Sequence, residues 1–454
     1  MLDLTPKEIV NREALRVNPC KTCQPVGAMY AALGVRKCMP HSHGSQGCCS
    51  YHRTVISRHF KEPAIASSSS FTEGASVFGG RSNLTTAARN IFDIYDPDII
   101  AVHTTCLSET IGDDMGSYIS DLKIPEGKHV VHCNTPSYAG SHITGYFNMM
   151  KGFMNYLTEK TGIPNGKTAI FPGWANPGDI RHLKKLCEAM KVRTVMFPDQ
   201  SGIMDAPMTG KYELYPPGGT TISEIRSLGD CRRVIALGEF TSLEPAEHLE
   251  KKWKVPFDIL PAPIGVDFTD RFIMALRRIS KIEVPYDIEE RRGQLVDLML
   301  DSSQYTFKKK VAVFGDPDTV LGLTSLCLEL GMLPKYVITG TPKEDFAKRA
   351  RDLFEKYGAQ DCLAKANADL FELHQRIKND RVDLLIGTSY GKQIAKAEDI
   401  PFIRAGFPVL DRYGGPLLPI VGYTGGIRLA EKITEALMDR QDRDCKDEDL
   451  EAVM

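Results

Sequence analysis

The chain has no basic surplus. Its 56 lysines and arginines face 58 aspartates and glutamates, a formal net charge of -2 over 454 residues, so nothing in the charge draws it to nucleic acid. It has no long apolar run either: the opening MLDLTPKEIVNREALRV carries acidic side chains throughout and no apolar core segment, which reads as neither a secretory signal nor a membrane span. A cytoplasmic location, with no nucleic-acid or membrane partner, is the expectation. Short-period repeats and low-complexity tracts are missing, and the brief SSSS at 67–70 reads as a loop. A phosphate cradle is missing too. GDPDTVLG at 315–322 follows a strand-like run but carries neither G-x-x-x-x-G-K-S/T nor G-x-G-x-x-G, which argues against nucleotide binding by this chain. No Ser/His/Asp order and no paired-carboxylate motif stands above background, so no catalytic residue is assigned.

Hydrophobic residues at 42% and charged residues at 25% are ordinary for a globular protein, and the length suits about three domains. Short β-branched runs alternate with helical patterns: DIIAVHTTC (98–106), KHVVHCNTPS (128–137), KTAIFPG (167–173), RTVMFPD (193–199), RRVIALGEF (232–240), KKVAVFGDPD (309–318), KYVITG (335–340) and VDLLIGTSYG (382–391). Near-continuous apolar strands closed by Gly/Pro loops predict parallel sheets covered on both faces. The expected fold class is α/β: three Rossmann-like domains with mostly parallel sheets flanked by helices, at 1–165, 166–300 and 301–454. The seams are placed in the polar stretch near 165 and in the region 285–308.

Twelve cysteines in a reducing compartment do not suggest a disulfide framework. Cys187 and Cys327 lie inside helix-like runs, where a free Cys packs as a small hydrophobe, and Cys445 falls in a polar tail. Cys23, Cys48 and Cys106 differ, because each sits where the chain turns or a strand ends among glycines, prolines and small residues. Together they look like part of an iron–sulfur site. Such clusters take several thiolates, commonly about four for a simple one, so dispersed thiols need a partner to supply the rest.

Bland readings stand beside these. Cys20 and Cys23 have the spacing of half a zinc hairpin, and His41 and His43 precede Cys48 and Cys49, so a zinc site is an alternative. Gly44 and Gly47 let backbone approach a bulky anion and Ser45 adds a hydroxyl donor, yet the same segment reads as a glycine turn capping the next helix. A lone buried Cys at 106 is usually packing. Ser137 reads as a helix cap or as a hard oxygen ligand for oxidised iron beside thiolates. Asp297 and Asp301, four apart, share one helix face, where like charges cost about a few tenths of a kcal/mol unless solvated or bound to a cation. Solvation is the default.

At KTCQPVGA, HGSQGC, RHFKEP, SFTEGASVFGG, TTCLSETIGDD, NTPSYAGSH and GFPVLDRYG the chain closely resembles the β subunits of nitrogenase molybdenum–iron proteins. The resemblance runs through nearly the whole length and the ordered set is highly specific. CQP at residue 23 matches the short, clostridial-type β chain, and HGSQGC rather than HGGQGC tilts toward the molybdenum type. The resemblance implies the nitrogenase component 1 fold and an α2β2 heterotetramer with two kinds of cluster. Cys23, Cys48 and Cys106 would hold one side of the 8Fe–7S P-cluster, Ser137 would bind its iron in the oxidised state, and three more thiolates would come from the α subunit. Ser45 and the Gly44–Gly47 amides would bond to the sulfurs and tune the potential. Cys49 need not bind, and Cys20, where the family has alanine, would be a spectator.

The iron–molybdenum cofactor would lie in the α chain. The β chain would then relay electrons to it from the ATP-hydrolysing iron protein, which docks transiently over the α/β junction near Phe78, and dinitrogen would become ammonia with obligatory hydrogen release. A cation site between two β subunits would use Glu62 and the Lys61 carbonyl of one with Asp297 and Asp301 of the other. An oxygen-only set suits calcium, magnesium or iron(II); the family's usual Arg–Glu is Lys–Glu here.

Two related families are rivals. A cofactor-assembly scaffold is disfavoured by retention of all three thiol positions and Ser137. A protochlorophyllide-reductase-type subunit fits TPSYAGSH and SFTEGASVFGG less well. A non-enzymatic α/β binding protein with structural cysteines is the third reading, and predicts a colourless complex. Residues 200–290 carry no functional reading beyond their fold.

Overall fold

The computed structural model describes residues 4–10, 12 and 16–446. Two compact units divide them. The first, Thr22–Pro261 with Pro416–Leu418, holds two four-stranded sheets. Strands β1 (Cys38–His43), β2 (Ser67–Ser68), β3 (Ile99–Thr104) and β4 (His129–Cys133) lie in the order β2-β1-β3-β4. Strands β5 (Thr168–Phe171), β6 (Thr194–Met196), β7 (Arg233–Leu237) and β8 (Phe257–Leu260) lie in the order β6-β5-β7-β8. Every pairing in both sheets is parallel.

Helices α1 (Gln24–Leu33), α2 (Gln46–Phe60), α3 (Glu73–Phe78), α4 (Arg81–Tyr95), α5 (Cys106–Ile111), α6 (Met115–Ser120) and α7 (His142–Leu157) accompany the first sheet. The core follows from the pattern. β3 reads IIAVHT and is buried at every position. Helix α4 spaces Leu84, Ala88, Ile91 and Phe92 along one stripe and packs them with Met39, Ile100, Val102 and Val130, as an amphipathic helix on a sheet must.

Helix α1 is buried along its whole length and crosses α7 at two glycines. A Cβ on Gly27 would stand 1.7 Å from the His142 carbonyl oxygen, and one on Gly145 would stand 1.8 Å from that of Gln24. The crossing therefore exists only because neither residue has a side chain. It is pinned at its end by the His142 amide, which donates to the Thr22 carbonyl at 2.9 Å. Helix α7 also packs on the helix Glu239–Trp253 of the second sheet.

The second unit comprises the described residues up to Lys21, Ala262–Gly415 and those from Pro419 onward. Its sheet is β9 (Lys310–Gly315), β10 (Leu333–Thr339), β11 (Leu363–Lys365), β12 (Leu384–Gly387) and β13 (Phe402–Arg404), ordered β11-β10-β9-β12-β13 and wholly parallel. With the first strand central, this is a doubly wound order of the Rossmann kind.

One sheet falls in each expected segment, but compactness groups the chain differently. The first two sheets share a unit because α7 serves both layers, and the boundary comes after Pro261 rather than at 300. The N-terminal stretch joins the second unit because it is tied to the helix Leu370–Asn379. Asp369 accepts from Arg12 and from the Val17 amide, each at 2.8 Å, and Lys378 donates to the Thr5 carbonyl at 2.7 Å. Among the described residues no helix is long and apolar enough to cross a membrane.

Candidate metal-cluster site

In the first sheet, β1 and β3 are the neighbours between which strand order reverses. Ligands of open parallel sheets gather outside the carboxyl ends of such strands. β1 ends at His43 and leads through Gly44 and Ser45 into α2, whose third residue is Cys48; β3 ends at Thr104 and leads through Thr105 into α5, whose first residue is Cys106. β4, on the far side of β3, ends at Cys133 and leads to Ser137. The loops after β1 and β3 touch: the Thr105 amide donates to the His43 carbonyl at 3.1 Å, and a Cβ on Gly44 would lie 1.8 Å from Thr105 Oγ1. Cys23 arrives from α1, where it is the N-cap residue.

All three thiols therefore occupy the N-terminal ends of helices, where unsatisfied amides and the helix dipole favour negative charge. They also share one neighbourhood. Burial pushes the Cys23 thiol up to about 11, and the charges of Cys106 and Cys48 add to the rise; the Cys48 thiol is raised by burial and then by Cys106. Cys23 and Cys48 are half-buried and Cys106 is exposed, whereas Cys20, Cys38, Cys49, Cys133, Cys187, Cys231 and Cys327 are buried. The Cys23 and Cys48 thiols, both raised, need a cation to hold them deprotonated, and metal binding releases those protons. The set is open toward the surface of this chain.

The bland alternatives separate cleanly. His41 bonds Ser67 Oγ at 3.0 Å and Ser69 Oγ at 2.8 Å, and His43 bonds Ser69 Oγ at 2.8 Å and Asp113 at 2.9 Å. Both rings are spent on structural partners. Cys20 packs with Phe314, Tyr336 and Ile338 in the core of the second unit, so it makes no zinc hairpin with Cys23. Among the described residues no three His, Cys, Asp or Glu side chains close around a single-ion site. Ser45 is the N-cap of α2 and accepts from the Gly47 amide at 3.3 Å, which is the capping role set beside its donor role. Helix α7 is capped by Ser141 rather than Ser137, so the capping reading of Ser137 fails and its half-buried hydroxyl is not committed to that helix. Cys49 Sγ donates to the Ser67 carbonyl at 3.4 Å.

Sequence reasoning missed His52. It is 2% exposed, and its Nε2 lies 3.4 Å from Cys23 Sγ. Burial lowers its imidazole to about 4, so the ring is neutral at ordinary pH. The available signal was its place on α2, four residues after Cys48 and hence on the same face.

A family model of nitrogenase component 1 type oxidoreductases matches residues 23–438. The chain belongs to that family. Among these nitrogenase-type oxidoreductases it is 58% identical to the nitrogenase molybdenum–iron protein beta chain of Clostridium pasteurianum, over 100% of both sequences. It is 40% identical to the corresponding beta chain of Frankia alni, over 97% of this chain and 86% of that one. A chain in a solved structure of nitrogenase Cp1 at pH 6.5 superposes with TM-score 0.98 at 58% identity, covering 100% of each. A chain of nitrogenase Cp1 at pH 5, only 15% identical, superposes with TM-score 0.68 over 96% of this chain and 92% of that one, and shares the fold alone.

The residues expected at a cation site are divided between the units. Lys61 and Glu62 follow α2 in the first; Asp297 and Asp301 lie exposed on the helix Tyr286–Asp301 of the second. Lys61 adopts a left-handed conformation at φ 66°. Burial and then Asp205 raise the Glu62 carboxyl. Phe78, at the end of α3, is 90% exposed and follows Val77 at 73%.

Proposed function

We propose that this chain is the β subunit of a dinitrogenase, and that Cys23, Cys48 and Cys106 form one wall of an 8Fe–7S P-cluster whose other thiolates come from an α subunit. The observation that carries the reading is the meeting of three partly open thiols, each on a helix N-terminus, at the switch point of the first sheet. An iron–sulfur cluster held there supplies stored electrons, to be relayed from an ATP-dependent iron protein to an iron–molybdenum cofactor in the α chain for reduction of dinitrogen to ammonia. The chain's own residues have definable tasks. The α1–α7 crossing fixes Cys23, the touching loops after β1 and β3 fix Cys48 and Cys106 against each other, and the helix N-termini favour thiolate.

Ser137 offers a hard oxygen to iron in the oxidised state. Ser45 retains an O–H to give to a sulfur while its oxygen caps α2. Phe78 and Val77 present the apolar face on which the transient iron protein docks. In an α2β2 tetramer, the Lys61 carbonyl and Glu62 of one β chain would share a calcium, magnesium or iron(II) ion with Asp297 and Asp301 of the other. The deciding experiment is anaerobic co-purification with the α subunit followed by iron, sulfide and molybdenum analysis. A colourless, iron-free complex would refute the reading.

A further inference from the structure

We infer that His52 is a positioning residue for the cluster: its Nε2–H donates to the Cys23 sulfur and holds the cluster's reduction potential up. The inference rests on the P-cluster reading above and adds a residue to it.

Helix α2 carries Cys48 and His52 one turn apart, so both face the same side. The Gly27–Gly145 crossing delivers the end of α1 to that side, which brings Cys23 Sγ to 3.4 Å from His52 Nε2. The ring cannot turn away into water, being 2% exposed, and its Nδ1 has no hydrogen-bond partner. Its neighbour His103, 6.4 Å away between ring centroids, is itself held by Ser42 Oγ at 2.8 Å. His52 thus makes one polar contact through its ring, and it goes to a ligand sulfur.

Proton accounting fixes the direction of that contact. With Cys23 as a thiol, either partner can donate. Once Cys23 is a metal-bound thiolate its proton has left, the sulfur can only accept, and the proton between them must belong to Nε2. Nδ1, buried and without a partner, takes no part in that contact. A donor to a ligand sulfur stabilises the more electron-rich state of a cluster and so raises its potential.

The test uses the anaerobic α2β2 protein. In His52→Phe, which keeps a planar ring and removes the donor, the midpoint of the cluster in an EPR-monitored potentiometric titration is expected to move to more negative potential with iron content unchanged. His52→Gln, which restores an N–H, is expected to move it part of the way back. An unchanged midpoint in a fully loaded His52→Phe protein overturns the role of His52 and leaves the cluster reading standing. Should His52→Phe lose iron, the unsubstituted protein decides. Labelled with 15N-histidine and oxidised, it is expected to give a histidine nitrogen coupling in pulsed EPR, and absence of that coupling overturns the hydrogen bond. An unsubstituted tetramer without iron overturns the parent reading and this inference with it.

Discussion

Replacing Gly27 by alanine tests the crossing on which Cys23 depends. Two effects of opposite sign compete. In a helix interior Gly→Ala ordinarily stabilises by about 1 kcal/mol, because glycine gives up more backbone freedom. Here the new methyl would stand 1.7 Å from the His142 carbonyl oxygen, 2.6 Å from its carbon and 2.7 Å from the Tyr146 amide nitrogen. Carbon atoms pack at about 3.5–4.0 Å, so α1 and α7 would have to part by roughly 2 Å through an interface of fully buried residues that includes Ala28, Ala31, Tyr146 and Met149. Overpacking of a tight core costs about 1–3 kcal/mol, and the atoms struck are backbone, which cannot rotate away. The upper part of that range exceeds the propensity gain, so a net loss of about 1–2 kcal/mol is expected, with Cys23 displaced and iron content reduced. Gly145→Ala is expected to do the same, and the double variant less than the sum, since the first methyl has already parted the helices. Gly293, in the exposed helix Tyr286–Asp301 with nothing within 4 Å of its Cβ direction, supplies the contrast: alanine there is expected to be neutral or stabilising. Thermal unfolding by circular dichroism and iron analysis of anaerobically purified protein measure both. A Gly27→Ala protein that melts where the unsubstituted one does and carries its full iron would refute the crossing as described.

Cys106→Ala is expected to abolish the cluster's EPR signal while shifting stability by no more than about 0.5 kcal/mol, since the sulfur is exposed and fills no core; retention of the signal would remove Cys106 from the ligand set. Ser137→Ala is expected to leave the reduced cluster intact and alter the spectrum of the oxidised protein, and identical oxidised spectra would exclude an iron-bound alkoxide. His41 governs a pH effect: burial first, and then His43, depress its imidazole from 6.5 to about 3, so the native state refuses a proton that the unfolded chain accepts. Its stabilisation is complete above about 6.5 and is lost as pH falls toward about 3, by up to about 1.4 kcal/mol per pH unit. His41→Gln is expected to flatten the acid limb of the unfolding curve, and an unaltered limb would contradict this. Asp297→Asn with Asp301→Asn is expected to remove one divalent ion per shared site and loosen the tetramer in sedimentation velocity; unchanged metal content would dismiss the cation.

The apolar strands were legible because their chemistry is repetitive. DIIAVHTTC, KTAIFPG, RRVIALGEF and KKVAVFGDPD all became β-strands, since β-branched runs between Gly/Pro loops have few other ways to bury themselves. The strand that matters most for the site was not legible. β1 is CMPHSH, a half-polar stretch containing proline, and yet it is buried at all six positions. Its histidines and serine are tolerated only because Ser67, Ser69, His103 and Asp113 meet them, and those partners come from 26 to 70 residues away. Pro40 is tolerated because the two-residue β2 pairs only with His41 and Ser42, leaving the earlier part of β1 paired on the β3 side alone.

That hidden strand explains what could be read of the site and what could not. Cys106 and Ser137 follow strands that announce themselves, so their place at carboxyl ends is visible in one dimension. Cys48 follows β1, so its membership of the switch point emerges only when the polar strand is seen to pair with β3. Cys23 depends on no strand; it is delivered by two glycines 118 residues apart whose facing is a property of the folded helices. His52 needs both facts at once, a helix entered from β1 and a thiol brought across by α1. A residue whose role requires two long-range contacts leaves no local pattern, however short its distance to the sulfur.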